Sequence, residues 1–206
     1  MSPPVTFQLT EFDQRFLLRI ARKSVEAYLA GCKPAHPEPV PEALKETRGV
    51  FVSLHQQGQL RGCIGNVHPV SPLYRSAAEC AIAAAVGDPR FMPLMAAELE
   101  SVVFEISVLS PLHRVMDIAE VEIGKHGLLV GKGTRQGLLL PQVATSHGWD
   151  RERFLRETCK KAGLSDDAWQ DGASMQCFTA FVFGEDRPHF AYTFPEAPSI
   201  APETAQ

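Results

Sequence analysis

The sequence predicts an α+β fold, a mainly antiparallel sheet with flanking helices, and three observations carry that reading. Extended runs come in pairs joined by short polar or glycine-bearing links, so hairpins are frequent. Helical stretches are interspersed among the strands without regular β-α-β units, which disfavours a doubly wound parallel sheet. Finally, 206 residues with 45% hydrophobic and 21% charged side chains are enough for one sizeable core of ordinary globular composition.

Thr10 followed by Asp13 reads as a helix start, and Phe12, Phe16, Leu17, Ile20, Ala21, Val25, Tyr28 and Leu29 then recur at helical spacing until Gly31. The proline-laden stretch from Pro34 to Pro41 that follows excludes both helix and central strand and predicts an extended connection. Gly49–Leu54 and Leu60–Gly65 form a predicted hairpin around the polar link His55–Gln59. Ser71 with Pro72 as first helical residue opens an alanine-rich helix through Ala85, closed by Gly87. Asp88-Pro89-Arg90-Phe91 is a predicted turn and Pro93 to Leu99 a short helix. From Val102 to Leu109 strict alternation gives a strand with one polar face. His126–Val130 and Gly137–Leu140 flank a glycine-rich hairpin tip, Asp150 caps a helix ended by Gly163, and the last strand runs from about Met175 to Phe183. The chain beyond it is expected to be poorly ordered at its tip.

Composition narrows the function. A net charge of −4 supplies no basic stripe for nucleic acid. The N-terminus lacks a secretory pattern and no apolar run approaches the length of a membrane span, so a cytoplasmic protein that binds neither nucleic acid nor membrane is expected. Five scattered cysteines without a Cys-x-x-Cys pair read as reduced thiols rather than disulfides or a zinc knuckle. No local motif supplies a metal site; one assembled from the distant Cys63, Glu105 and His126 stays open. Gly131–Gly137 joins strands and does not open a helix, so it is not nucleotide-specific, and Gly-x-Ser-x-Gly is absent.

Leu60-Arg61-Gly62-Cys63-Ile64-Gly65 resembles the hallmark hexapeptide of the AMMECR1 family. Asp88-Pro89-Arg90-Phe91, His126-Gly127-Leu128 and Leu140-Pro141-Gln142-Val143-Ala144 are similar to further family segments in the same order. The resemblance implies an α+β fold with a larger and a smaller subdomain and the hexapeptide near their junction; the single domain is taken over 1–190, and the Pro-containing tail over 191–206 is expected to be partly disordered. It also implies a link to a Memo-like protein and a radical S-adenosylmethionine protein, as in the bacterial AmmeMemoRadiSam system, without an established reaction. Asn66 departs from relatives, which often carry Thr or Ser there.

The residues themselves suggest chemistry. On a strand, Arg61 and Cys63 share a face, and a nearby guanidinium favours the thiolate, the reactive form. Gly62 and Gly65 permit close approach of a backbone or ligand. Against this, Cys is among the most buried residue types and a glycine can simply accommodate a bulge. Glu105 faces away from its strand's apolar side and is a candidate base or acceptor, or else a partner for Arg61. His126 titrates in the range useful for proton transfer, and Arg90 is able to hold an anion, or else to fix its own turn through Asp88. The expected function is a small-molecule enzyme or accessory component of a radical S-adenosylmethionine and Memo-linked modification pathway, with a cleft around Arg61 and Cys63. The other reading is a non-enzymatic adaptor for a partner protein. Cofactor and ligand are unknown at this level. Radical chemistry itself is assigned to a partner, because the chain lacks a closely spaced three-cysteine cluster.

Overall fold

A computed structural model describes residues 8–34 and 39–185. The tail over 191–206 and the middle of the proline-rich connection lie outside the described residues. Two four-stranded sheets organise the chain, one ordered β2-β1-β3-β8 and the other β4-β7-β5-β6, with every pairing antiparallel. The strands are β1 (Val50–Gln56), β2 (Gln59–Asn66), β3 (Val102–Leu109), β4 (His113–Arg114), β5 (Gly127–Lys132), β6 (Arg135–Leu139), β7 (Ser174–Phe178) and β8 (Ala180–Gly184). The helices are α1 (Glu11–Leu29), α2 (Leu73–Val86), α3 (Pro141–Ser146) and α4 (Arg151–Lys161). The α+β class read from the sequence is thus the observed one.

Local chemistry sets the element ends. Thr10 and Asp13 cap α1 reciprocally, the Thr10 hydroxyl accepting from the Asp13 amide while the Asp13 carboxylate accepts from the Thr10 amide at 2.9 Å. The Asp150 carboxylate caps α4 by accepting from the Arg153 amide at 2.8 Å. The first hairpin turns on Gln57 and Gly58 alone, both at positive φ, so its strands run further into the polar link than composition indicated.

The first sheet packs one face against α1 and α2. Val50, Val52, Leu54, Phe104, Ile106 and Val108, all fully buried, meet Leu17, Ile20, Val25, Leu73, Ala77 and Ala81 in the main core. The alanine-rich helix lies close to the sheet at Gly62: a Cβ there would come within 2.1 Å of the Ala84 carbonyl oxygen. The second sheet builds its own core from Val121, Leu128, Ala144, Phe154 and Leu155.

The two sheets share a ribbon. The single final strand expected from Met175 to Phe183 is broken at Thr179: β7 belongs to the second sheet and β8 to the first. The break faces the parallel step from β3 to β4, and the two crossing chains are tied by the Ser110 amide donating to the Thr179 carbonyl and the Thr179 amide donating to the Ser110 hydroxyl, both at 2.9 Å. Continuous apolar character hid the break, because both halves are apolar-rich strands that belong to different sheets. Leu109, Leu140 and Phe178, with Phe51 and Leu138 against them, fill the junction.

Candidate functional site at the sheet junction

The face of the first sheet turned away from α1 and α2 carries the odd-numbered residues of β1 and β3, and it becomes polar along its length. Phe51 and Leu109 join the apolar junction. Next come Ser53 and Ser107, only 7% and 2% exposed. Ser53 pairs across the ladder with Cys63 on one side and Glu105 on the other, so Cys63, Ser53 and Glu105 form one row across three strands. The Glu105 side chain is 14% exposed and His55 Nε2 lies 3.9 Å from its Oε1. That Nε2 is shielded from solvent and makes no hydrogen bond among the described residues.

Cys63 is held by its backbone as well as its side chain. The Ser53 hydroxyl donates to its Sγ at 3.2 Å. Because β2 is an edge strand, the outward amide and carbonyl of Cys63 need partners, and the predicted turn after α2 supplies them. The Asp88 carboxylate accepts from the Cys63 amide at 2.9 Å, and Arg90 donates to the Cys63 carbonyl at 3.3 Å. Arg90 also grips Asp88 through two guanidinium nitrogens, at 2.9 and 2.6 Å. Asp88 is buried, and the adjacent Arg90 guanidinium holds its carboxyl well below the usual carboxylate range. Arg90 therefore fixes its own turn and the edge of the hexapeptide strand together.

Arg61 does not serve Cys63. A register shift opposite Leu54 and His55 leaves Arg61 without a cross-strand partner, which breaks the alternation that put the two side chains together. Its guanidinium instead meets both oxygens of Glu98, at 3.1 and 3.2 Å, and the Met92 carbonyl at 2.9 Å. Burial pushes the Cys63 thiol up from its ordinary value, against the Ser53 hydrogen bond and the positive charges of Arg90 and Lys161. Arg90 and Lys161, the latter at the end of α4, are the cations that act on Cys63.

The glycines of the hexapeptide have packing reasons. Gly62 admits α2, and a Cβ on Gly65 would fall 2.2 Å from the Phe51 ring. His126 closes its own loop, its Nδ1 accepting from the Glu122 amide at 3.1 Å, and burial lowers its pKa. No hydrogen bond or ion pair among the described residues joins it to Cys63 or Glu105, and none of their groups of three or more His, Cys, Asp and Glu side chains is arranged to hold a metal ion. Ser53, His55 and Lys161 were missed by sequence reasoning. Ser53 already lay inside the predicted strand, and carrying its alternation one residue further would have put His55 on the same face; Lys161 left no such signal.

Comparison with known proteins agrees with this architecture. The AMMECR1 family model matches residues 18–183. A protein of Methanosarcina acetivorans is 44% identical over 189 residues, covering 87% of this chain and 95% of its own length, and one of Methanopyrus kandleri is 42% identical over 191 residues, covering 88% and 92%. The crystal structure of an uncharacterised protein from Pyrococcus horikoshii superposes with a TM-score of 0.83 at 41% identity, covering 87% of this chain and 95% of that one. A chain with this pair of sheets and this hexapeptide is an AMMECR1-type α+β protein, and it belongs to the AMMECR1 family.

Proposed function

We propose that the chain binds and transforms a small polar molecule at the junction face, with Glu105 and His55 as the proton-handling pair and Ser53 and Cys63 as the groups that contact the ligand. The observation that carries this is the row itself. A sheet face turned toward a second sheet is ordinarily filled by apolar side chains, and burying unneeded polar groups costs stability. Here Ser53, Ser107, Glu105, His55 and Cys63 are gathered on one face while the opposite face is uniformly apolar. Polar groups concentrated beside an apolar wall, Phe51 with Leu138, match the composition of small-molecule sites.

Cys63 acts in this reading as a neutral thiol that accepts from Ser53, since its burial disfavours the anion. In this reading the ligand contacts centre on Cys63, Ser53 and Glu105, with Arg61 as a structural tie at one end of the hexapeptide. The family resemblance supports placing this chemistry beside a radical S-adenosylmethionine protein and a Memo-like protein, with the radical step performed by the partner. A metabolite panel added to isotope-labelled protein tests the reading. Amide shifts are expected to cluster at Ser53, His55, Cys63 and Glu105; a panel whose members perturb only other surfaces contradicts it.

A specific observation favours the adaptor reading as a second possibility. Met92 and Met95 are 81% and 66% exposed, and Leu60, next in sequence to Arg61, is exposed as well. Arg61 and Glu98 hold the two methionines in place through the Met92 carbonyl and the Met95 amide. Flexible methionines around an anchored ion pair form an adaptable contact surface at one end of the hexapeptide.

A further inference from the structure

On the opposite side of the first sheet, α1 presents a groove that the junction site does not use. We infer that this groove is a docking site for a short acidic peptide segment of a partner protein, one carrying an aromatic or large aliphatic anchor next to Asp or Glu. The groove encloses about 540 Å³ between Phe12, Arg15, Phe16 and Arg19 of α1 and the extended wall Pro39-Val40-Pro41. Positions 12, 15, 16 and 19 fall on one helix face, so two aromatic rings alternate with two guanidinium groups.

Phe12 is 66% exposed although it stands on the helix that covers the main core, and its ring lies 6.1 Å from that of Phe16. Such a ring loses exposed apolar area when a partner side chain covers it. The wall opposite is rigid, because prolines at 39 and 41 fix the backbone on either side of buried Val40.

Charge identifies the occupant. The chain as a whole is acidic, at −4, yet the groove rim is basic. Arg15 is paired with Glu11 at an exposed position, a contact that is weak in water. The Arg19 guanidinium stacks 5.9 Å from the Phe16 ring centroid, and among the described residues no carboxylate lies within ion-pair distance of it. A carboxylate from a partner would complete Arg19 while an adjacent apolar side chain covers Phe12. A basic partner would be repelled from the rim, and a wholly apolar one would cover the Arg19 guanidinium without supplying it a carboxylate.

Selection of random dodecapeptides displayed on phage against the full chain tests the proposal. Enriched peptides are expected to carry Asp or Glu within two positions of Phe, Trp or Leu. Their synthetic counterparts should bind Phe12→Ala and Arg19→Glu at least about tenfold more weakly, with affinity falling as salt rises. Both substitutions are at the surface, and circular dichroism verifies the fold. Absence of enrichment, enriched peptides without acidic residues, or equal binding to wild type and both variants would overturn the proposal. Retained binding to Arg61→Ala is expected, which separates this surface from the hexapeptide end.

Discussion

At the scale of single residues, reactivity follows burial more than motif. Cys63 stands between two cations and a hydroxyl donor, and burial still outweighs them, so its thiol stays above its ordinary pKa. Burial likewise pushes Cys80 up to about 11 and raises Cys159 and Cys177. Cys32 is exposed. Native labelling with iodoacetamide, mapped by mass spectrometry, should therefore modify Cys32 first, with Cys63 following only as pH rises above the ordinary thiol range. A folded pKa above the reference value leaves less thiolate at any given pH, so the Cys63 rate climbs late. Asp88→Asn removes a negative charge near the thiol and loosens the grip on the Cys63 amide, and both effects act in the same direction. Labelling of Cys63 should rise by roughly an order of magnitude in that variant, while Cys80 stays protected. Immediate labelling of Cys63 at neutral pH in the wild type would contradict the assignment of burial as the dominant cause.

At the scale of elements, the hexapeptide is first a packing device and an edge. Gly62 lets α2 lie against β2, and the turn at Asp88–Arg90 returns from that same helix to bond the outer side of the strand. Gly62→Ala forces its new methyl into the Ala84 carbonyl, which a helix backbone cannot easily relieve. A loss on the order of 3 kcal/mol in urea unfolding is expected, and an unchanged midpoint would show that α2 is less fixed than described. Much of this was legible beforehand. The α1 cap, the strand from Val102 to Leu109, the glycine-tipped hairpin and the Asp150 cap all follow from spacing and local chemistry. The rest depended on tertiary facts: two-residue β4 has no periodicity to read, Pro141 opens a helix too short to signal itself, and the break at Thr179 is a choice between sheets. Of the candidate row, Cys63 and Glu105 were legible in the sequence. The bulge at Arg61 and the fold-back of His126 onto Glu122 could not be read, since each is fixed by contacts distant from, or irregular within, its strand.

At the scale of the molecule, the crossing ribbon at Ser110 and Thr179 couples the two sheets and leaves the polar row facing their junction. The apolar side of the first sheet is fully used by α1 and α2, whose outer surface carries the basic aromatic groove. The chain thus has two chemically distinct faces, a polar row and a basic aromatic groove, for which we propose a small polar ligand and an acidic peptide respectively. Among the described residues no helix is long and apolar enough to cross a membrane. The most direct test of the junction site is calorimetric titration of the tightest-binding metabolite from the panel into wild type, Ser53→Ala, Glu105→Gln and Arg19→Glu proteins of verified fold. Glu105→Gln and Ser53→Ala are each expected to weaken binding by about tenfold or more, through loss of a buried polar partner, while Arg19→Glu binds as wild type does. Equal affinity across all four proteins would contradict it and remove the junction row as the site.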